Sequence, residues 1–205
     1  MEKKEILNLY AGIAGNRKDW GDKYNVTAVE NDTAIAKIYQ DLFPNDKVII
    51  GDAHQFLLKH FEEFDFIWSS PPCPTHSKFM ISKKTLPNWK MPFPDMKLYE
   101  EIIFLQSWFK GDWVIENDMS YYKPLIKPYE IQRHYFWSNV PIPKNSFIPY
   151  DHIRETTIGE LQKHHGFNLD SYSGIDKSKV LSNCVNPELA LHIFKMVFKD
   201  KQITL

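Results

Sequence analysis

Short apolar runs alternating with stretches of helical spacing are the strongest constraint on what this chain can fold into. Ile6 to Tyr10, Val26 to Val29, Val48 to Ile50, Phe64 to Trp68 and Trp113 to Ile115 are too short for helices, and each stops at small or polar residues. Between them lie helical stretches: one capped by Asp32 and stopped near Phe43 by Pro44, one from Gln55 to His60, and one from Leu98 to Lys110. A strand that leads repeatedly into a helix builds a parallel sheet. The expected class is therefore α/β, a mostly parallel doubly wound sheet with helices on both faces. Tyr135 to Trp137 adds a further strand, Thr157 to His165 a short helix in an otherwise irregular stretch from 139 to 180, and Pro187 to Phe198 a closing helix.

The chain has 205 residues, enough for one such domain over 1–205, with residues 139–180 as a reduced recognition or lid segment. Its 43% hydrophobic content excludes a disordered or fibrous protein. A formal net charge of -1 gives no global basic field, so any polyanion site must be local. The two cysteines, Cys73 and Cys184, are too few for a disulfide framework and are expected as free thiols. No long apolar run suggests a leader or a membrane span, so a cytoplasmic protein without a membrane partner is expected.

In a doubly wound sheet, ligands bind at the carboxyl ends of the strands. Here those ends carry Gly12 to Gly15, Glu30, Asp52, Cys73 and Glu116. The glycine turn, taken to lead into a helix, lets a ligand approach backbone N–H groups. Glu30 lies eighteen residues beyond Gly12, near the spacing at which an acid on the second strand accepts hydrogen bonds from ribose hydroxyls. Asp52, closing the third strand, is placed to accept from an adenine amino group. Singly these are ordinary strand-end acids; in this order they describe a nucleoside site. Cys73 follows Pro71 and Pro72, which leave the backbone few options and hold the thiol at the sheet edge, as suits a nucleophile. Glu116, ending the next strand, is placed to act as an acid on a substrate above Cys73. His164 and His165 lack an accompanying ligand set, so no metal is expected.

Together these motifs resemble the DNA cytosine-5 methyltransferase family, and in particular its small phage-type members without a large recognition domain. Asn8-Leu9-Tyr10-Ala11-Gly12-Ile13-Ala14-Gly15 is similar to the S-adenosylmethionine turn, Ser70-Pro71-Pro72-Cys73-Pro74-Thr75-His76-Ser77 to the nucleophile loop, and Ile115-Glu116-Asn117 to the Glu-Asn motif. Arg133 matches one arginine of the family's pair, and the segment Ser182 to Pro187 resembles the closing motif beside the cofactor. The chain departs from the family at Asn8, where an acid is usual, at Pro74 in place of glutamine, and at Ile131 in place of the first arginine.

The resemblance implies a Rossmann-like S-adenosylmethionine-dependent methyltransferase fold, in a bacterial or phage-infected cell. It implies Cys73, Glu116 and Arg133 as catalytic residues. Cofactor contacts fall on Tyr10, Ala11, Gly12, Ile13 and Gly15, on Glu30 and Asn31, on Asp52 and Ala53, and on Pro71 and Asn183. The implied reaction is attack of Cys73 on C6 of a cytosine flipped out of duplex DNA, followed by methylation at C5. Lys78, Lys83, Lys84 and Lys90 lie between Pro74 and Pro94 with no acid among them, forming the local polyanion site; Ser77 and Asn117 join them as expected DNA contacts. Met80, Ile81 and Trp89 are candidates to fill the gap left by a flipped base, and Arg154, Lys163, Lys177 and Lys179 are further candidate DNA contacts. The sequence carries no signal for a second subunit or a homodimer. Three different activities are compatible with parts of the same pattern. An exocyclic amino methyltransferase shares Ser70-Pro71-Pro72 but places an aromatic residue where Cys73 stands. A catalytically silent DNA-binding homologue would tolerate the departures at Asn8 and Ile131, and an RNA methyltransferase would use the same cofactor and nucleophile motifs.

Overall fold

The strands that the apolar runs predict lie side by side in a computed structural model describing residues 3–143 and 157–198. Among the described residues, one seven-stranded sheet has the order β3-β2-β1-β4-β5-β7-β6. Its strands are β1 Glu5–Leu9, β2 Asn25–Glu30, β3 Lys47–Ile50, β4 Phe66–Ser69, β5 Asp112–Asp118, β6 Tyr129–Ile131 and β7 His134–Ser138. The first five are parallel, β7 runs antiparallel to β5, and β6 antiparallel to β7. The strand order reverses between β1 and β4, and that switch opens a crevice at their carboxyl ends.

Helices cover both faces. They are α1 Thr33–Leu42, α2 Ala53–His60, α3 Lys97–Trp108, α4 Ile158–His165, α5 Lys177–Ser182 and α6 Pro187–Val197. Side chains alternate across each strand, so Ile6, Phe66 and Trp68 pack against Leu189, Ile193 and Phe194 of α6, while Leu7, Leu9 and Ile67 pack against α2 and α3 through Leu57, Leu98, Ile102 and Leu105. Trp20 stacks on Phe194 with ring centroids 4.4 Å apart. A further apolar cluster joins Ile13 and Ile38 to Leu161, Leu181 and Cys184, docking α4 and α5 beside α1.

Three expectations need correction. The glycine turn does not lead into a helix: Tyr10, Gly12 and Ala14 adopt φ of 55°, 54° and 73°, and alternating left-handed residues cannot propagate an α-helix. The turn is instead fixed by side chains. Asn16 donates to Asn8 at 2.7 Å and receives the reciprocal bond, while buried Arg17 binds Asp46 through two hydrogen bonds of 2.9 and 3.0 Å. An amide at position 8 satisfies both partners without burying a charge, which accounts for Asn8 where an acid is usual. Second, β5 continues to Asp118, so Glu116 and Asn117 lie within the strand and not at its end. Third, the stretch 139–180 contains the start of α5 as well as α4; six residues are too few to show periodicity, although Asp176 caps α5 by accepting from Lys179 N–H. Arg154 and the rest of residues 144–156 lie outside the described residues.

Candidate active site

The crevice at the strand ends is lined by Tyr10, Glu30, Asn31, Asp52, Ala53, His54, Pro71, His76 and Leu98, among others. Glu30 accepts from Gly12 N–H and Asp32 N–H, both at 2.9 Å, which ties β2 to the glycine turn. Each carboxylate oxygen keeps a lone pair for a ligand hydroxyl. Asp52 caps α2 through Gln55 N–H at 2.9 Å and leaves its other oxygen on the crevice wall. A Cβ at Gly12 would meet nothing within 4 Å, so the turn faces open space.

Other members of the expected cofactor set sit differently. Ile13 is buried among α4 and α5 residues, and Ala11 is buried with its N–H bonded to Val29 O. Gly15 packs so closely on the closing segment that a Cβ there would lie 2.8 Å from Cys184 Cβ. Asn183 is exposed at the end of α5. Ala11, Ile13 and Gly15 pack the turn against its neighbours, and none of the four residues lines the crevice.

Beneath the crevice lies a polar cluster that sequence reasoning missed. Glu101 on α3 is fully buried and accepts from Tyr10 Oη at 2.6 Å, from Ser69 Oγ at 2.8 Å and from His54 Nδ1 at 3.0 Å. The hydrogen bond to Glu101 raises the His54 pKa, with burial opposing it; burial, then the charge of Glu101, pushes the Tyr10 hydroxyl up. A sequence signal existed, because Glu101 falls in the apolar stripe of Leu98, Ile102 and Leu105.

On the other side of the switch stands Cys73. The chain leaves β4 through Ser70, whose Oγ accepts from Trp68 Nε1 at 3.0 Å, and Asn117 Nδ2 donates to Pro71 O at 2.8 Å. After Cys73 the loop is fastened to the extension of β5: Lys78 N–H donates to Met119 O at 2.8 Å and Tyr121 N–H to His76 O at 2.9 Å. Cys73 is thus held from both sides while remaining partly exposed. Burial pushes its thiol pKa far up, and the nearby carboxylates of Asp118 and Glu116 add to the effect. Asn117 is 2% exposed, and its contact with Pro71 O makes it a support of this loop. That corrects its expected place among the DNA contacts. Ser77 is also buried, with its hydroxyl accepting from Phe79 N–H.

Glu116 and Asp118 share one face of β5 with His134 and Phe136 of β7, because Glu116 pairs with Phe136 and Asp118 with His134 in the ladder. His134 Nδ1 lies 2.7 Å from Glu116 Oε1 and 3.9 Å from Asp118 Oδ1. The side chain against Glu116 is therefore His134, a neighbour that the sequence reading did not single out. Successive residues point apart, and Arg133 lies toward α4, where its charge adds to the burial and the His164 charge that lower His165 to about 4. Among the described residues no His, Cys, Asp or Glu group could hold a metal ion.

The lysine loop contains a 3-10 stretch, Lys78–Thr85. Lys78, Lys84 and Lys90 are exposed, and Lys83 Nζ lies 5.6 Å from the Phe79 ring centre. Phe79 and Phe93 are 67% and 94% exposed, more open than Ile81, while Met80 and Trp89 are half-buried. The expected wedge set overlooked these two phenylalanines.

Residues 5–103 match the family model of C-5 cytosine-specific DNA methylases. That match covers just under half of the chain. The methylase match spans the glycine turn, Glu30, Asp52 and Cys73 and ends before Glu116. None of the curated proteins matches the chain by sequence. Among solved structures, a hypothetical protein of Thermus thermophilus is 14% identical over 66% of this chain and 74% of its own, with a TM-score of 0.46. The Entamoeba histolytica methyltransferase EhMeth is 16% identical over 58% of this chain and 39% of its own, with a TM-score of 0.37. A mutant of Spodoptera frugiperda DNMT2 is 25% identical over 57% of this chain and 36% of its own, with a TM-score of 0.38. The mostly parallel sheet with its reversed β7 and helices on both faces is the Rossmann-like methyltransferase fold. No helix among the described residues is long and apolar enough to cross a membrane.

Proposed function

We propose that this protein is a DNA methylase that methylates C5 of cytosine, with S-adenosylmethionine as methyl donor and Cys73 as covalent nucleophile. The observation that carries this reading is a juxtaposition at the carboxyl edge of the sheet: the loop that carries Cys73 is fastened to β5, the strand that carries Glu116, next to a crevice walled by Glu30 and Asp52. The donor set of that crevice fits a nucleoside sulfonium, with carboxylate oxygens for ribose and adenine and open space over Gly12. When bound, S-adenosylmethionine supplies an electrophilic methyl group. The protein's own residues prepare the base. Sulfur of Cys73 adds to C6, and Glu116, oriented by His134, meets the charge that develops at N3. A stacked base cannot reach this site, so the target is flipped at a cost of a few kcal/mol. Lys78, Lys83, Lys84 and Lys90 hold phosphates in a salt-sensitive way.

Expression in a host lacking cytosine methylation, followed by nucleoside mass spectrometry of DNA and RNA, tests the reading. The expected product is 5-methylcytosine in DNA, absent with Cys73→Ser. N4-methylcytosine, N6-methyladenine, or product in RNA alone would overturn it.

A further inference from the structure

Two stretches of this chain carry lysines and no acid. Residues 74–94, the loop after Cys73, hold Lys78, Lys83, Lys84 and Lys90; residues 119–129, which follow β5, hold Lys123 and Lys127. Acids return only at the borders, at Asp95, Asp118 and Glu130. In a chain of formal net charge -1 this is a local concentration of positive charge, and the chemistry at Cys73 leaves Lys123 and Lys127 without a role. The fold joins the two stretches. Ser77 forms an antiparallel bridge with Ser120, Lys78 N–H donates to Met119 O at 2.8 Å and Tyr121 N–H to His76 O at 2.9 Å. Tyr121 Oη donates to Pro92 O at 2.6 Å, so the far end of the lysine loop is tied to the same segment.

Lys123 follows directly on this fastened segment, and the chain beyond it is pinned as well. Leu125 N–H donates to Tyr99 Oη of α3 at 3.2 Å, and Trp137 Nε1 of β7 donates to Ile126 O at 2.9 Å. Tyr122 and Ile126 pack into the apolar layer under α3, while Lys123, Leu125 and Lys127 are exposed. Each of the two lysines precedes a proline, Pro124 or Pro128, and a residue before proline is kept extended. Both ammonium groups therefore project from backbone that is already ordered, which lowers the entropy cost of holding a ligand. We propose that Lys123 and Lys127 bind the phosphate backbone of the duplex that the 74–94 loop also holds, the two segments making one phosphate-binding surface beside Cys73. The assignment rests on the reading of duplex DNA as the substrate. Four residues of chain reach at most about 14 Å, and duplex DNA carries about eight charges over that length, so both lysines find phosphates whatever the sequence. Their contribution is to affinity and placement, and not to the choice of target.

Fluorescence anisotropy of a labelled DNA duplex, titrated with the full chain over a series of salt concentrations, tests the surface. Each phosphate contact adds about 0.9 to the steepness of log K against log salt. Replacing both lysines, Lys123→Ala with Lys127→Ala, is expected to lower that steepness by about 1.8 and to weaken binding equally on duplexes of unrelated sequence. Arginine at both positions is expected to restore the parent slope. Lys47→Ala, at the amino end of β3 and so at the opposite edge of the sheet, is expected to leave it unchanged. An unchanged slope in the double alanine variant overturns the assignment, as does an equal fall in Lys47→Ala, which would trace binding to net charge alone. A slope lost with arginine as well as with alanine also overturns it, since the two positions would then serve the fold. Nucleoside analysis of DNA from cells expressing the parent protein is read separately. There, 5-methylcytosine together with an unchanged slope removes this surface alone, whereas N4-methylcytosine overturns the cytosine-5 reading and leaves the slope to decide the surface.

Discussion

Two buried His–Glu pairs lie on opposite sides of the switch point, and they differ in what they leave unused. On the crevice side, Glu101 meets His54, and Tyr10 and Ser69 also donate to its carboxylate. On the thiol side, Glu116 meets His134 with a similar contact, but His134 Nε2 is buried without a partner among the described residues, and no second side-chain donor from those residues fills the Glu116 carboxylate. A fully satisfied pair fixes geometry, and a partly satisfied one has capacity to spend on a substrate. In the proposed function, the first pair shapes the cofactor crevice and the second acts on the base.

This contrast can be broken most decisively on the thiol side. Cys73→Ser is expected to abolish methyl transfer while leaving cofactor affinity, measured by calorimetry, within a factor of about two, since no crevice contact is lost. Glu116→Gln is expected to lower the transfer rate about 100-fold at saturating cofactor, read in single turnovers, because the ring loses its proton source. A loss confined to KM would remove Glu116 from the chemistry.

Changes on the crevice side should appear first in stability. Glu101→Gln leaves three donors competing for a poorer acceptor, at a cost of about 2 kcal/mol. The expected fall in Tm is about 4–8 °C for a chain of this length. A transfer rate reduced as strongly as in Glu116→Gln would erase the distinction between the pairs. The smallest effect concerns pH. His54 has a raised pKa in the folded state, chiefly through Glu101. Its stabilising contribution is therefore complete below the unfolded pKa of about 6.5 and is lost as pH rises through the folded value. His54→Gln should flatten that segment of the Tm–pH curve, by about a degree or two; an unchanged curve would show that His54 does not carry it.

The sequence made the sheet legible because short buried strands and capped helices are local signals. Asp32 does cap α1, Pro187 does open α6, and the parallel order follows from the alternation. It also marked Glu30, Asp52 and Cys73, since strand-end residues announce themselves by position. It missed β6, which has three residues, and it misjudged the segment after Tyr10, where three left-handed residues defeat a helix that local composition allowed.

By itself, then, the sequence determined the class of the fold and the set of residues at its carboxyl edge, because propensity and periodicity act over a few neighbouring residues. Only the tertiary structure decided which of these residues meet. Arg133 and His134 are adjacent in sequence, and the pairing of β5 with β7 puts His134 against Glu116 and sends Arg133 elsewhere. The same register sets Asp118 opposite His134 and leaves Asn117 to hold Pro71 O from the other face. A shift of one residue in that ladder would exchange every one of these partners, since side chains alternate between faces with a period of two.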